Sequence, residues 1–364
     1  MTLLDTPQHL PKVTTANAPA MRVMIATDTW RPQVNGVVRS IEHMLQYAGT
    51  FGTMVQVITP FDFHTLPLPT YPELRLAIAR PRTIARRIAA FAPTHIHIAT
   101  EGPVGFATRA VCNRYGFPYS TSYHTRFPEY VSARMPISPL WIYRVLRRFH
   151  NGAGAVMVAT PTLRDELERH GFDNIRLWSR GVDANLFSPL KEGPVDAERP
   201  VFLYVGRLAV EKNLPAFLSL DLPGSKVVVG DGPARAELER QFPQTRFLGA
   251  QTGEELARTY ASADVFVFPS RTDTFGMVLL EALASGLPVA AYPVTGPQDV
   301  LGESGCGVLD EDLRAAALGA LKISRKRCRA FAEQFRWEES ARQFYEGVRA
   351  ANGTRTINVA ALAR

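Results

Sequence analysis

The chain alternates short apolar runs of strand length with stretches of good helix formers. The sharpest unit is Asp264-Val265-Phe266-Val267-Phe268, then a loop to Gly276, then a helix pattern over 277–284. Parallel strands cannot be joined by a tight turn and need a crossover, usually helical, so a chain of repeated strand-helix units is committed to parallel sheets covered by helices. In the first half, 22–27 reads as a buried strand feeding a helix over 37–47, and 54–59, 94–99, 118–123 and 155–159 read as further strands. A second block opens at 201–205 and continues through 226–229 and 246–249. Between the blocks, Gly181, Pro189, Pro194 and Pro200 punctuate a polar tract. At 364 residues the chain exceeds one ordinary core, so the reading is an α/β protein of two domains. Their expected spans are 21–180 and 201–335, joined by 181–200, with an amphipathic last helix at 336–350 and a tail at 351–364. Residues 1–20, with Pro7, Pro11 and Pro19 among polar residues, are expected to be a disordered lead.

Hydrophobic content of 46% and charged content of 21% fit a soluble globular protein, and no apolar run approaches the ~18 to 20 residues that span a bilayer. The first twenty residues lack a basic stretch followed by a long apolar core, so they do not read as a secretory signal. Cys112, Cys306 and Cys328 are odd in number and widely spaced, which suggests neither a disulfide framework nor a metal cluster and fits a reducing cytosol. The net charge of +7 is uneven: residues 1–180 hold 20 Lys and Arg against 11 Asp and Glu, whereas 181–364 hold 21 against 23. A basic half suits nucleic acid, anionic lipid or plain solvation, and charge alone does not choose. Segments 80–91 and 141–149 combine arginines with apolar residues at helical spacing. Each reads either as a helix lying in a membrane interface or as a surface helix packing its stripe on a sheet.

A helix N-terminus carries unpaired N–H groups and a partial positive charge, and a glycine there lets a ligand reach the backbone, so Gly276 before the 277–284 helix marks a seat for phosphate. Asp273 lies just before that helix and Glu281 about 7 Å along it at ~1.5 Å per residue, so two carboxylates bracket one diphosphate. The arrangement suits a nucleotide sugar: one carboxylate accepts from ribose hydroxyls, the other from hexose hydroxyls, and neither needs a metal. Taken singly, Asp273 would be a loop cap and Glu281 a helix-surface acid. The strand at 201–205 delivers Gly206 and Arg207 at its end, with Lys212 at the start of the next helix, two cations within reach of one diphosphate. In the first half, Asn35-Gly36 opens a helix without the GxGxxG spacing, so a dinucleotide site is not supported, although Gly36 lets a ligand touch the backbone. The loops 28–36, Thr100-Glu101-Gly102-Pro103 and Tyr123-His124-Thr125-Arg126-Phe127 follow strands and so share one cleft. His95 and His97 alternate with Ile96 and Ile98 and read as packing rather than zinc ligands. Asp310-Glu311-Asp312 is a literal DxD, but it precedes a helix whose dipole favours acids, and no metal is assigned to it.

Several of these stretches resemble the family 4 retaining glycosyltransferases. The likeness is carried by Asp273 and Glu281 with seven residues between them around Phe275-Gly276, where the family's first acid is usually Glu. It is carried also by Gly206-Arg207 followed by Lys212, by His124 directly after a strand, and by Gly181-Val182-Asp183 at a hinge. The resemblance covers residues 21–350 and implies the GT-B fold, two facing Rossmann-like domains with an acceptor domain first, a nucleotide-sugar domain second, and a last helix packing back on the first. It implies metal-independent, cofactor-free transfer of a hexosyl unit, with retention, from a UDP-sugar or GDP-mannose. His124 would lie beside the donor sugar and the acceptor, Arg207 and Lys212 on the departing diphosphate, and Glu281 on the ribose. Asp273 and the backbone of Phe275, Gly276, Met277 and Val278 would hold the sugar and β-phosphate, with Gly36 and Gly206 against the donor. The runs 122–128 and 270–276 are similar to the branch containing sulfoquinovosyl- and glycosyl-diacylglycerol synthases and related mannosyltransferases. That likeness implies a lipid acceptor of diacylglycerol type reached from an anionic membrane surface, a cytoplasmic and peripheral location on the inner face, and no nucleic-acid partner. A soluble acceptor, a nucleotide-sugar epimerase of the same fold and a non-catalytic membrane-associated nucleotide-sugar-binding protein are the alternatives.

Overall fold

The computed structural model describes residues 21–33, 35–68, 71–124, 138–191, 197–273 and 275–363. The expected lead at 1–20, the loop residues Thr125, Arg126 and Phe127, and Thr274 lie outside the described residues. In chain order the first half contains β1 (Met21–Ala26), β2 (Thr53–Ile58), a hairpin of β3 (Thr65–Leu68) and β4 (Tyr71–Ala77), then β5 (His95–Ile98), β6 (Ser120–Ser122), β7 (Ala155–Val158) and β8 (Ile175–Leu177). Apart from the hairpin these form one parallel sheet in the order β2-β1-β5-β6-β7-β8. The second half contains β9 (Val201–Val205), β10 (Ser225–Val229), β11 (Arg246–Gly249), β12 (Val265–Phe268), β13 (Val289–Ala291) and β14 (Gly307–Leu309). They form a second parallel sheet in the order β11-β10-β9-β12-β13-β14. The inner strands β9 and β12 are buried at every position, as unbroken apolar runs must be when helices cover both faces. This is the two-sheet α/β architecture expected from the alternation.

In each sheet the order reverses at its first strand, so the loops after β1 and β5, and after β9 and β12, leave in opposite directions and open a crevice. In the first sheet the crevice is pinned by Asp28, whose carboxylate accepts from the Thr100 hydroxyl at 2.8 Å and from the backbone N–H of Gly102 at 3.0 Å and Val104 at 2.7 Å. One side chain thus caps the helix Pro103–Tyr115 and fixes the loop after β1 to the loop after β5. The last helix, Trp337–Asn352, packs Trp337, Ala341, Phe344, Tyr345 and Val348 into the first sheet's core with Met21, Val23 and Met44. The Tyr345 hydroxyl donates to the Met44 carbonyl at 2.6 Å, and the Trp178 indole donates to Ser340 Oγ at 3.1 Å.

The two arginine-rich segments settle on the packed alternative. The helix Pro81–Phe91 buries Ile84, Ile88 and Phe91, and the helix Pro139–His150 buries Ile142, Leu146 and Phe149. Of their large apolar side chains, Leu140 and Trp141 at the start of the second remain open, at 70% and 60% exposure. His97 is buried between the Ser120 and Ser122 hydroxyls at 2.9 and 3.0 Å. Cys306 and Cys328, distant in sequence, are core neighbours as free thiols.

Candidate active site between the domains

The second sheet's crevice collects the sequence's candidate cations and carboxylates. β9 ends at Gly206 and Arg207, where the buried Tyr204 hydroxyl donates to the Arg207 carbonyl at 3.0 Å and fixes the turn. The chain then closes a 3-10 turn, Val210–Lys212, and Asn213 takes a left-handed conformation with φ of 53°. Its side-chain amide donates to the Pro269 carbonyl at 3.2 Å, tying the loop after β9 to the loop after β12. The tie brings Lys212 Nζ onto Asp273 Oδ1 as an ion pair. Burial pushes the Asp273 carboxyl up, but the Lys212 charge and its hydrogen bond outweigh that and hold it below the usual carboxylate range. The Ser270 hydroxyl beside the carboxylate also helps hold it down. The other oxygen, Oδ2, is buried and meets no hydrogen bond of full geometry among the described residues, so it can accept from a further hydroxyl.

Beyond Asp273 the loop passes buried Phe275 and reaches Gly276, whose φ of 80° starts the helix Met277–Ala284 and which has no side chain to cap it. Met277 and Val278 therefore present the start of a helix toward the cleft, the backbone arrangement that attracts phosphate. The facing wall is a second helix start. Gly36 begins the helix Gly36–Tyr47, capped by Asn35 Oδ1 through the N–H groups of Val37 and Val38 at 3.1 and 3.0 Å. A Cβ on Gly36 would lie 3.3 Å from Met277 Sδ, so the two domains meet at these helix ends.

Glu281 is buried one turn further along, and each of its carboxylate oxygens holds one partner and keeps a second lone pair. Oε1 pairs with the Arg39 guanidinium from the first domain, and Oε2 accepts from the Tyr260 hydroxyl at 3.1 Å. Burial raises the Glu281 carboxyl above its ordinary range even against the Arg39 charge and the Tyr260 hydrogen bond. Arg39 also lines a cavity of about 790 Å³ between the domains, with Arg31, Gln33, Glu42, Phe61 and Thr252 in its wall. Sequence reasoning missed Arg39 and Tyr260, because Arg39 stands 242 residues from its carboxylate and its helix reads as an ordinary amphipathic one.

His124 follows β6, and its described contacts belong to the first half. Its Nδ1 lies 3.1 Å from Arg180, and its ring packs edge-on against Trp178. Burial foremost, then the nearby Arg180 charge, pushes it well below the ordinary histidine value and keeps the imidazole neutral. Lys212, Asp273, Met277, Glu281 and Gly36 are thus brought together, with Gly206 and Arg207 at the adjoining strand end. The DxD string is used otherwise. Glu311 pairs with Arg271 at 2.8 Å, and Asp312 caps the helix Leu313–Ala320 through Arg314 and Ala315.

Residues 34–186 match the family described as Glycosyltransferase Family 4, and residues 199–325 match Glycosyl transferases group 1. The chain is 32% identical to the sulfoquinovosyl transferase SQD2 of Arabidopsis thaliana over 74% of this chain, and spans 59% of that protein's length. It is 32% identical to a GDP-mannose-dependent alpha-mannosyltransferase of Mycobacterium tuberculosis, covering 79% of this chain and 83% of that protein. It is 27% identical to an alpha-monoglucosyldiacylglycerol synthase of Streptococcus pneumoniae, covering 83% of this chain and 78% of that one. Among solved structures, a sucrose-phosphate synthase from Thermosynechococcus elongatus superposes with a TM-score of 0.71 at 21% identity, over 90% of this chain and 98% of that one, a likeness of fold. On these matches and this architecture, the chain belongs to the family 4 glycosyltransferases and is an enzyme of the GT-B fold.

Proposed function

We propose that the protein moves a hexosyl unit from a nucleoside-diphosphate sugar to a lipid acceptor of diacylglycerol type, with retention at the anomeric carbon and without a metal or cofactor. The observation that carries the donor site is the Lys212–Asp273 pair beside the open start of the helix Met277–Ala284, with Glu281 one turn along. Asp273 Oδ2 accepts a sugar hydroxyl, the helix start and Lys212 hold the diphosphate with Arg207, and Glu281 takes the ribose. In the step itself the acceptor hydroxyl attacks the anomeric carbon on the face from which the diphosphate departs. The bond from that carbon to the phosphate oxygen breaks, the leaving group keeps the electron pair, and its β-phosphate oxygen takes the acceptor's proton. Lys212 and Arg207 stabilise charge that grows as this bond breaks. His124, neutral, contributes a hydrogen bond on the acceptor side rather than a charge.

The lipid half of the reading is supported by a relative whose name specifies diacylglycerol and by the basic first half. Because the arginine-rich helices pack their stripes inward, the helix Pro139–His150 offers a bilayer Leu140, Trp141 and its exposed arginines rather than a full apolar face. Calorimetric titration of UDP and of GDP into the wild type and Glu281→Gln tests the donor site. Binding of one nucleotide, weakened about tenfold in the variant, is expected for loss of a charged hydrogen-bond acceptor. Equal binding by the two proteins overturns the role given to Glu281.

A further inference from the structure

The β3–β4 hairpin leaves aliphatic side chains open to solvent. Strand residues alternate between faces, and a sheet with one wet face turns apolar residues inward and polar ones outward. Thr65 pairs with Ala77, and Ala77 is buried in the core with Ile84 and Ile88, so that face looks inward at this end, while Pro67 and Arg75, paired further along it, are exposed. The next pair, Leu66 with Leu76, therefore looks outward, and both are exposed, at 60% and 43%. Ile78 donates its N–H to the His64 carbonyl at 2.7 Å, which extends the ladder by one pair, and its side chain is 49% exposed. Phe61, 58% exposed, sits on the 3-10 turn Pro60–Asp62 that packs against β4, and it also lines the interdomain cavity. An outward apolar face therefore runs up to the mouth of the cleft.

The surroundings are cationic. Arg80, Arg82 and Arg86 are exposed just beyond the hairpin, at the start of the helix Pro81–Phe91 and along it. Residues 60–91 hold five arginines against two acids, Glu73 and Asp62, and Arg87 pairs with Asp62 at 2.9 Å. Exposed aliphatic side chains rimmed by arginines match a bilayer whose headgroups are anionic and whose interface accepts apolar insertion.

We propose that the outer face of this hairpin is a docking surface for an anionic phospholipid bilayer. Leu66, Leu76 and Ile78 enter the interface, Arg80 and Arg82 meet headgroup phosphates, and the cavity mouth at Phe61 is held against the lipid surface. The inference rests on the lipid-acceptor reading for its purpose, and it puts the principal membrane contact on an element other than the basic helices.

Cosedimentation tests it with vesicles of phosphatidylcholine alone and of phosphatidylcholine mixed with phosphatidylglycerol, using wild type, Leu66→Ser/Leu76→Ser, Arg80→Glu/Arg82→Glu and Trp141→Ser. All the altered side chains are exposed, and an unchanged melting temperature confirms folding. Wild type is expected to bind the mixed vesicles, less so as salt rises, with each hairpin pair lowering binding about tenfold and Trp141→Ser by less than half. Hairpin variants that bind like wild type overturn the inference, as does loss confined to Trp141→Ser. A parallel assay with diacylglycerol dispersed in detergent separates the two proposals. Sugar transfer there by a protein that ignores vesicles overturns the docking surface alone, whereas transfer to a water-soluble acceptor and none to diacylglycerol overturns the lipid reading.

Discussion

Lys212 and Asp273 stand 61 residues apart and meet because the loops after two neighbouring strands are tied together by Asn213. Removing the cation leaves the departing diphosphate without one of its stabilising charges, so Lys212→Ala should lose about 2 to 4 kcal/mol of transition-state stabilisation, mainly in turnover. Unchanged kinetics in a folded variant would take Lys212 out of the site. Arg39 is different, because it meets Glu281 rather than the reacting atoms. Glu281 already sits above its ordinary range through burial, and Arg39 opposes that shift, so Arg39→Gln moves it further up. Below that raised value the carboxyl is protonated and one acceptor oxygen becomes a donor. The donor KM of Arg39→Gln should therefore rise about tenfold, ~1.4 kcal/mol, with little change in kcat and a deficit that deepens as pH falls, and Arg39→Lys should restore part of it. A donor KM that neither moves nor varies with pH would leave Arg39 a structural ion pair. The two acids flanking Gly276 and the two cations after β9 were legible in the sequence because each loop's chemistry is local to its own strand-loop-helix unit. Arg39 and Tyr260 were not, since nothing near either residue in sequence signals a partner on another element.

The strand-loop-helix unit ending in Met277–Ala284 was legible at both ends, because an apolar run, a glycine with positive φ and a block of helix formers all agree. The hairpin was not. Pro67, Pro69 and Pro72 argue against strand, and Leu66 and Leu76 face out, so neither propensity nor alternation marks it. A close approach between elements adds a prediction at this scale. The helix Thr295–Leu301 starts against the Asp273 loop, where a Cβ on Gly296 would lie 2.8 Å from the Asp273 carbonyl oxygen. Gly296→Ala must push that loop, at about 1 to 3 kcal/mol in urea unfolding, and should lower turnover by displacing Asp273. Full stability and full activity together would show that the loop yields freely.

Across the whole molecule, two parallel sheets place their crevices opposite one another, and the facing helix starts at Gly36 and Met277 mark where a ligand is enclosed. The two-sheet architecture followed from sequence because βα alternation admits few other solutions, whereas the contact between the halves depends on side chains hundreds of residues apart. The proposed chemistry uses Lys212, Arg207 and a helix start in place of a metal, so activity should survive exhaustive chelation. A protein that loses activity in EDTA and regains it with Mg²⁺ would contradict that part. The most direct test of the central claim supplies a panel of radiolabelled UDP-sugars and GDP-mannose with a lipid extract, to wild type and to Lys212→Ala. One donor is expected to give label extractable into organic solvent, in a product that keeps the donor's anomeric configuration and that Lys212→Ala forms far more slowly. Label that appears only in an isomerised nucleotide sugar, or in an inverted product, would contradict the claim.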